Sequence, residues 1–256
     1  MKTTDLTNHK SLIRQIEIQL PKAISECRFH CIDDVDKTRM MLFMTLCEHL
    51  QAFNILLDKS PTHSIVLLVR AMLEVTVDLK ALHDDRNQIY RLLVAFWKSK
   101  RSALRRALTY MQKNGVDRNK LKLFNEQLQH AQYCLKKYSP RISKYSKDDL
   151  IEQFLDGSGV TGMFWPILND ISHANINALE IKHRGDEDGH IKLFSIISDD
   201  LLEVIIMNLV SFMIMSMHWI IDIVDKNDRD IFERTLAALN EKWSELLASQ
   251  QTINTP

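Results

Sequence analysis

Glycine and proline are both scarce in this chain of 256 residues, at six and five. Turn-dense β architectures need such breakers at short intervals, so the scarcity points to a helical chain. Cysteine is also sparse. Cys27 and Cys31 stand four apart, but no second pair and no histidine cluster follows at zinc-ligand spacing. The four thiols therefore read as small buried hydrophobes of a reducing cytoplasm. No Glu-x-x-His pair on a helix (Glu180–His183 and Glu187–His190 fall in a Gly/Asp-rich stretch), no His-x-x-x-His pair and no aspartate cluster suggests a metal, no serine or cysteine nucleophile motif is present, and no cofactor is implied. The glycine loop Asp156-Gly157-Ser158-Gly159 lacks the Lys-Ser/Thr of a phosphate-binding loop and reads as a connector. Charge of one sign is missing as well: Lys plus Arg equal Asp plus Glu at 33 each, so the whole molecule carries no electrostatic signal for nucleic acid or membrane. Met1 to Lys10 lacks the apolar core of a signal peptide.

What is present is helical periodicity. Apolar residues recur at helical spacing from Leu6 to about Glu26, with Pro21 as a kink or break. Asp33 and Asp34 cap a second helix from Val35 to about Leu57. A third, from Ser64 to near Asp84, is apolar nearly all round. Long amphipathic helices run from about Arg86 to Lys113, closed by Asn114-Gly115, and from about Asn119 to Tyr138, closed by Ser139-Pro140. Ser146 caps a shorter one. The short alternating arms around a Gly/Asp turn at about 180–197 predict a short β-hairpin insert or an extended flap. The stretch Val204 to Ile221 holds no formal charge and is just long enough to span a bilayer. Its polar residues Asn208, Ser211 and His218 lie near one face with Asp222, and its flank is acidic rather than basic. It reads as a central helix of a soluble bundle, and no membrane partner is expected. His218 and Asp222, four apart, read as a structural His–carboxylate bond. Arg229 to about Ser249 forms a final helix. The expected fold is all-α: one helical domain over residues 1–256, with a long protruding helical hairpin at about 86–138.

Two features carry chemistry. On the third helix Arg70, Glu74 and Asp78 fall at i, i+4 and i+8, which makes a charged stripe on an otherwise apolar helix. Such a stripe is costly unless its groups are paired or line a cavity. Later, Asn169-Asp170-Ile171-Ser172-His173-Ala174-Asn175 follows the aromatic Phe164-Trp165. Arg70, Glu74 and His173 are the catalytic candidates: His173 exchanges protons, Arg70 stabilises charge on a phosphoryl group, and Glu74 holds the guanidinium fork. Asp78, Ser172 and Asn175 join them as substrate-binding candidates. A buried network, with Arg70 and Glu74 paired internally and His173 capping a helix, is the competing reading.

Charge also separates along the chain. Between Arg91 and Lys147 the sequence is strongly basic, with only Asp117 and Glu126 in opposition. A basic hairpin suits a phosphate backbone, so RNA is the partner expected at 91–147, with Arg101, Arg105 and Arg106 as further substrate-binding candidates. A solvated hairpin, or one docking on an acidic face of the protein or its dimer mate, explains the same composition.

The Arg-Ala-Met-Leu-Glu run at Arg70–Glu74 with Asp78, the later Trp165 and Ser172-His173, and the insert before a last apolar helix resemble a bacterial helical family of unknown function. That family is grouped loosely with the HEPN (higher eukaryotes and prokaryotes nucleotide-binding) fold. The resemblance covers roughly Met40 to Asp225. It implies a helical bundle acting as a homodimer, and a metal-independent ribonuclease of a toxin or phage-defence system, or an inactive RNA-binding relative. Catalytic members carry an Arg four to six residues before the His. His173 has none at that distance, and Arg184 with His190 has the spacing only within a Gly/Asp turn. Two functions are carried forward: an RNA-acting HEPN-like protein, and a non-catalytic interaction or regulatory module whose polar pocket is structural or takes a small anion.

Overall fold

The computed structural model describes residues 6–59, 64–115, 117–142, 146–158, 168 and 197–253. Its α-helices, among the described residues, are α1 (Thr7–Glu26), α2 (Asp34–Lys59), α3 (Ser64–Asp84), α4 (Ile89–Lys113), α5 (Arg118–Tyr138), α6 (Lys147–Ser158), α7 (Asp199–Ile220) and α8 (Arg229–Ile253). Among the described residues there is no strand, and the fold is all-α. The expected β-hairpin at about 180–197 lies almost entirely outside the described residues. The chain divides into two compact units, Met1–His83 with Asp148–Pro256, and Asp84–Lys147.

In the first unit α1 packs against α2, α7 and α8. Its buried residues Leu12, Ile13, Ile16, Leu20 and Ala23 follow helical spacing along one stripe. Pro21 sits inside α1 without ending it, so the helix runs through to Glu26. Pro21 cannot donate to the carbonyl four residues back, but its fixed φ is helical. Asp33 caps α2, its Oδ1 accepting from the backbone N–H of Val35 at 2.9 Å and of Asp36 at 3.1 Å. α7 is the central helix. Ile205, Ile206, Leu209, Val210, Phe212, Met213, Met217 and Ile220 are all buried, so it is apolar on nearly every side. Each such side chain contributes roughly 1.5–3 kcal/mol by leaving water. By length and composition α2 and α7 could each cross a membrane, and over half of α7's apolar window is buried inside the chain, as a core helix would be.

Two polar fastenings hold this unit's ends. The α1–α2 connection runs antiparallel to the α7–α8 connection at Phe29 and Val224. There the His30 N–H donates to the Ile223 carbonyl at 2.8 Å, and the Asp225 N–H to that of Arg28 at 2.9 Å. Arg28 grips Asp228 through Nε at 2.9 Å, and His30 Nε2 lies 2.5 Å from Asp225. The second fastening is Arg39 of α2, whose side chain is only 2% exposed. Its guanidinium forks onto both oxygens of Asp222, at 3.0 and 2.6 Å, donates to the Trp219 carbonyl, and meets His83 Nδ1 at 3.1 Å. Asp222 therefore does not bond His218. His218 Nε2 instead lies 3.5 Å from the side-chain amide of Asn240. The buried arginine is the better partner, because its charge needs a carboxylate far more than an exposed imidazole does.

The second unit is a helical hairpin. Tyr90, Val94, Trp97, Arg101, Leu104, Leu108 and Met111 of α4 follow alternating steps of four and three, as do Leu121, Phe124, Leu128, Ala131, Leu135 and Tyr138 of α5. That is the spacing of a coiled-coil seam. Tyr90 stacks on Tyr138 with centroids 6.0 Å apart, and Trp97 meets His130 edge-on at 5.2 Å. The turn after α4 uses Gly115 at φ +64°, a left-handed conformation that closes the helix without strain. Asp117 then caps α5, accepting from the Asn119 N–H.

Candidate functional site

The α3 stripe forms as its spacing requires. Arg70 Nε donates to Glu74 Oε1 at 3.2 Å, one helical turn away, with the side chains 23% and 32% exposed. Asp78, one turn further, is buried. All three have at least one further interaction. The guanidinium is thus oriented through its Nε edge by Glu74, as the fork of a phosphate-binding arginine is steered by a carboxylate, and it has a further interaction besides. His173, Ser172 and Asn175 lie outside the described residues.

The hairpin is the other candidate surface. Asp84–Lys147 carries sixteen Lys and Arg against four Asp and Glu, a formal charge of +12; the rest of the chain carries seventeen against twenty-nine, or −12. The neutral total hides two strongly opposed units. Among the described residues, Lys98, Arg105, Arg106, Lys113, Lys122 and Lys136 are exposed and none has a carboxylate within 4 Å. Arg91, Lys98 and Arg105 recur every seven residues and so share one line of α4, with steps of about 10.5 Å. Arg105 and Arg106 point to solvent, but Arg101 occupies a seam position between Trp97 and Leu104 and is half-buried. Lys100 rests its ammonium over the Trp97 ring at 5.1 Å, and Arg141 lies over Tyr90 at 5.1 Å while donating to its hydroxyl at 2.9 Å.

Cys27, Cys31 and Cys47 are all held in the thiol form. Burial pushes Cys47 up to about 12. Burial, then the neighbouring Asp228 and Glu26, raises Cys27, and burial and then Asp36 raise Cys31. All three stay protonated at neutral pH.

Arg39 with Asp222 is the polar centre that reading the chain for motifs overlooks. A signal was available: Arg39 is four residues after Val35 and four before Phe43, on the buried stripe of α2. The seam spacing of α4 and α5 was equally present in the sequence.

A model of a family of unknown function, DUF5677, matches residues 38–191, a span that includes Arg39, the α3 stripe and the whole basic hairpin. No curated protein and no solved structure matches the chain. With more than half of its length matched, the chain belongs to the DUF5677 family, whose function is unknown.

Proposed function

We propose that this protein is a cytoplasmic, homodimeric RNA-acting protein of the HEPN-like kind, a metal-independent ribonuclease of a toxin or phage-defence system. The observation that carries the reading is the hairpin: a unit of formal charge +12 in which exposed Lys98, Arg105, Arg106, Lys113, Lys122 and Lys136 have no carboxylate within 4 Å among the described residues. Unneutralised cations on a helical surface attract a phosphate backbone and release its counterions. In this reading the RNA 2′-hydroxyl attacks the adjacent phosphorus as His173 removes its proton. The 5′-oxygen leaves and takes a proton from water, giving a cyclic phosphate and a free 5′-hydroxyl. Arg70, steered by Glu74, stabilises the charge on the phosphorane, and Asp78, Ser172 and Asn175 contact the substrate.

The test is incubation with total RNA and tRNA in EDTA, alongside folded His173→Ala and Arg70→Ala variants. Cleavage by the wild type, lost in both variants, is expected. Absent cleavage, or equal cleavage by all three, would instead favour a non-catalytic interaction or regulatory module. One observation supports that second reading: Arg70 and Glu74 already satisfy each other and Asp78 is buried, as in a structural network.

A further inference from the structure

Two exposed apolar patches lie apart from the α3 stripe. The first is a groove of about 340 Å³ between α1 and α2, lined by Ile16, Leu20, Ile24, Met44, Cys47 and Leu50 among others. On the same two helices Ile18 and Met41 stand 70% and 61% exposed. Glu17 and Glu48 lie on its lining, and among the described residues neither has a Lys, Arg or His within 4 Å. The second patch is on the hairpin. Phe96, Ala103 and Tyr110 recur every seven residues and form one line of α4, with Phe96 and Tyr110 more than half exposed. Two residues are 200° of helix turn, so this line lies away from that of Arg91, Lys98 and Arg105. Lys100 accompanies it, its ammonium 5.8 Å from the Phe96 ring and without a carboxylate partner among the described residues.

The two patches complement each other in shape class and in charge. A groove rimmed by glutamates with no cation beside them among the described residues belongs to the −12 unit, and an exposed aromatic line accompanied by lysine belongs to the +12 unit. About 150 Å³ suffices for a benzene-sized ring, and methionine at the lining adapts to the ring that enters. We propose that the Phe96–Tyr110 face of one copy docks reciprocally in the α1–α2 groove of a second copy. This supplies a contact for the homodimer of the proposed function and is independent of whether the chain binds or cuts RNA. Because the phosphate-facing line of α4 is a different one, docking leaves it available.

Sedimentation equilibrium of the full chain tests it. The wild type self-associates, and salt weakens it because the glutamates and lysines are screened. Phe96→Glu and Met44→Glu, both at exposed positions, each raise the dissociation constant about tenfold or more by placing a charge in an apolar contact. An equimolar mixture of the two variants associates more tightly than either alone, since one of the two reciprocal contacts is intact in the mixed pair. A monomeric wild type overturns the dimer and its contact together while leaving the RNA reading standing. A dimer that persists in either variant, or a mixture no tighter than either variant alone, overturns the contact alone.

Discussion

Arg39, buried in α2, holds Asp222, just beyond the end of α7, by two parallel hydrogen bonds at 3.0 and 2.6 Å. The two residues are 183 positions apart, and the carboxylate is more than half exposed while the guanidinium is not. That asymmetry sets what each substitution does. Asp222→Ala leaves the buried cation with Asp36, 3.6 Å away, as its remaining carboxylate, and should cost somewhat less than the roughly 3–5 kcal/mol of a wholly uncompensated buried charge. Arg39→Met removes the charge, keeps most of the volume, and leaves Asp222 able to turn to water and buried Asp36 with a further interaction of its own, so it should cost less than Asp222→Ala. Urea unfolding of both variants gives the order, and a larger loss for Arg39→Met would contradict it.

The same pair makes stability depend on pH. Burial raises the Asp222 carboxyl, but the Arg39 hydrogen bond and charge together outweigh it, and the net shift is downward. Asp225 is lowered by the Asn227 N–H, against burial and with help from His30 and Arg28, and Asp228 by its bonds to Arg28. A carboxyl lowered in the fold binds its proton more readily when unfolded. The stabilisation is therefore complete above the ordinary carboxylate value of about 3.9 and is lost as pH falls through the lowered values. Unfolding midpoints measured from pH 7 downwards should hold until roughly pH 5 and then drop, and Asp222→Asn should make that drop shallower.

At the hairpin turn, Gly115 has φ +64° and open space where a Cβ would stand. The cost of Gly115→Ala is then conformational only, about 1 kcal/mol, with Gly115→Asn cheaper because asparagine tolerates the left-handed region. Thermal unfolding followed by circular dichroism checks the order.

Arg101 and Arg105 are four apart and differ in kind. Arg101 takes a seam position between Trp97 and Leu104, where a polar residue costs stability. Arg101→Leu should raise the thermal midpoint and weaken RNA binding by no more than a single phosphate contact would. A lowered midpoint would mean that the guanidinium is making the seam rather than interrupting it.

How far the sequence was readable follows from where its signals are local. Helical periodicity, the Asp33 cap and the Asn114-Gly115 closure are set by neighbours a few residues away, and α1, α2, α4 and α5 appear with nearly the boundaries that spacing predicts. Pro21 shows the limit of a local rule, since the packing of α1 on α2, α7 and α8 carries the helix through it. The partner of Asp222 was out of local reach: His218 is one turn away, but Arg39 is brought in from another helix by tertiary packing. The α3 stripe was legible because Arg70 and Glu74 are local partners. Its companions Ser172, His173 and Asn175 lie outside the described residues, so that half of the site rests on the Ser-His-x-Asn run in the sequence.

The central claim is that the hairpin is an RNA surface, and equilibrium binding of RNA across a salt series tests it most directly. The wild type should bind with an affinity that falls steeply as salt rises. Arg105→Glu with Arg106→Glu, both exposed and without carboxylate partners among the described residues, should bind far more weakly. The slope of log affinity against log salt should fall by about 1.4–1.8, at roughly 0.7–0.9 for each phosphate that is no longer neutralised. An unchanged affinity and slope in the double variant, or a wild type that does not bind RNA at low salt, would contradict the account.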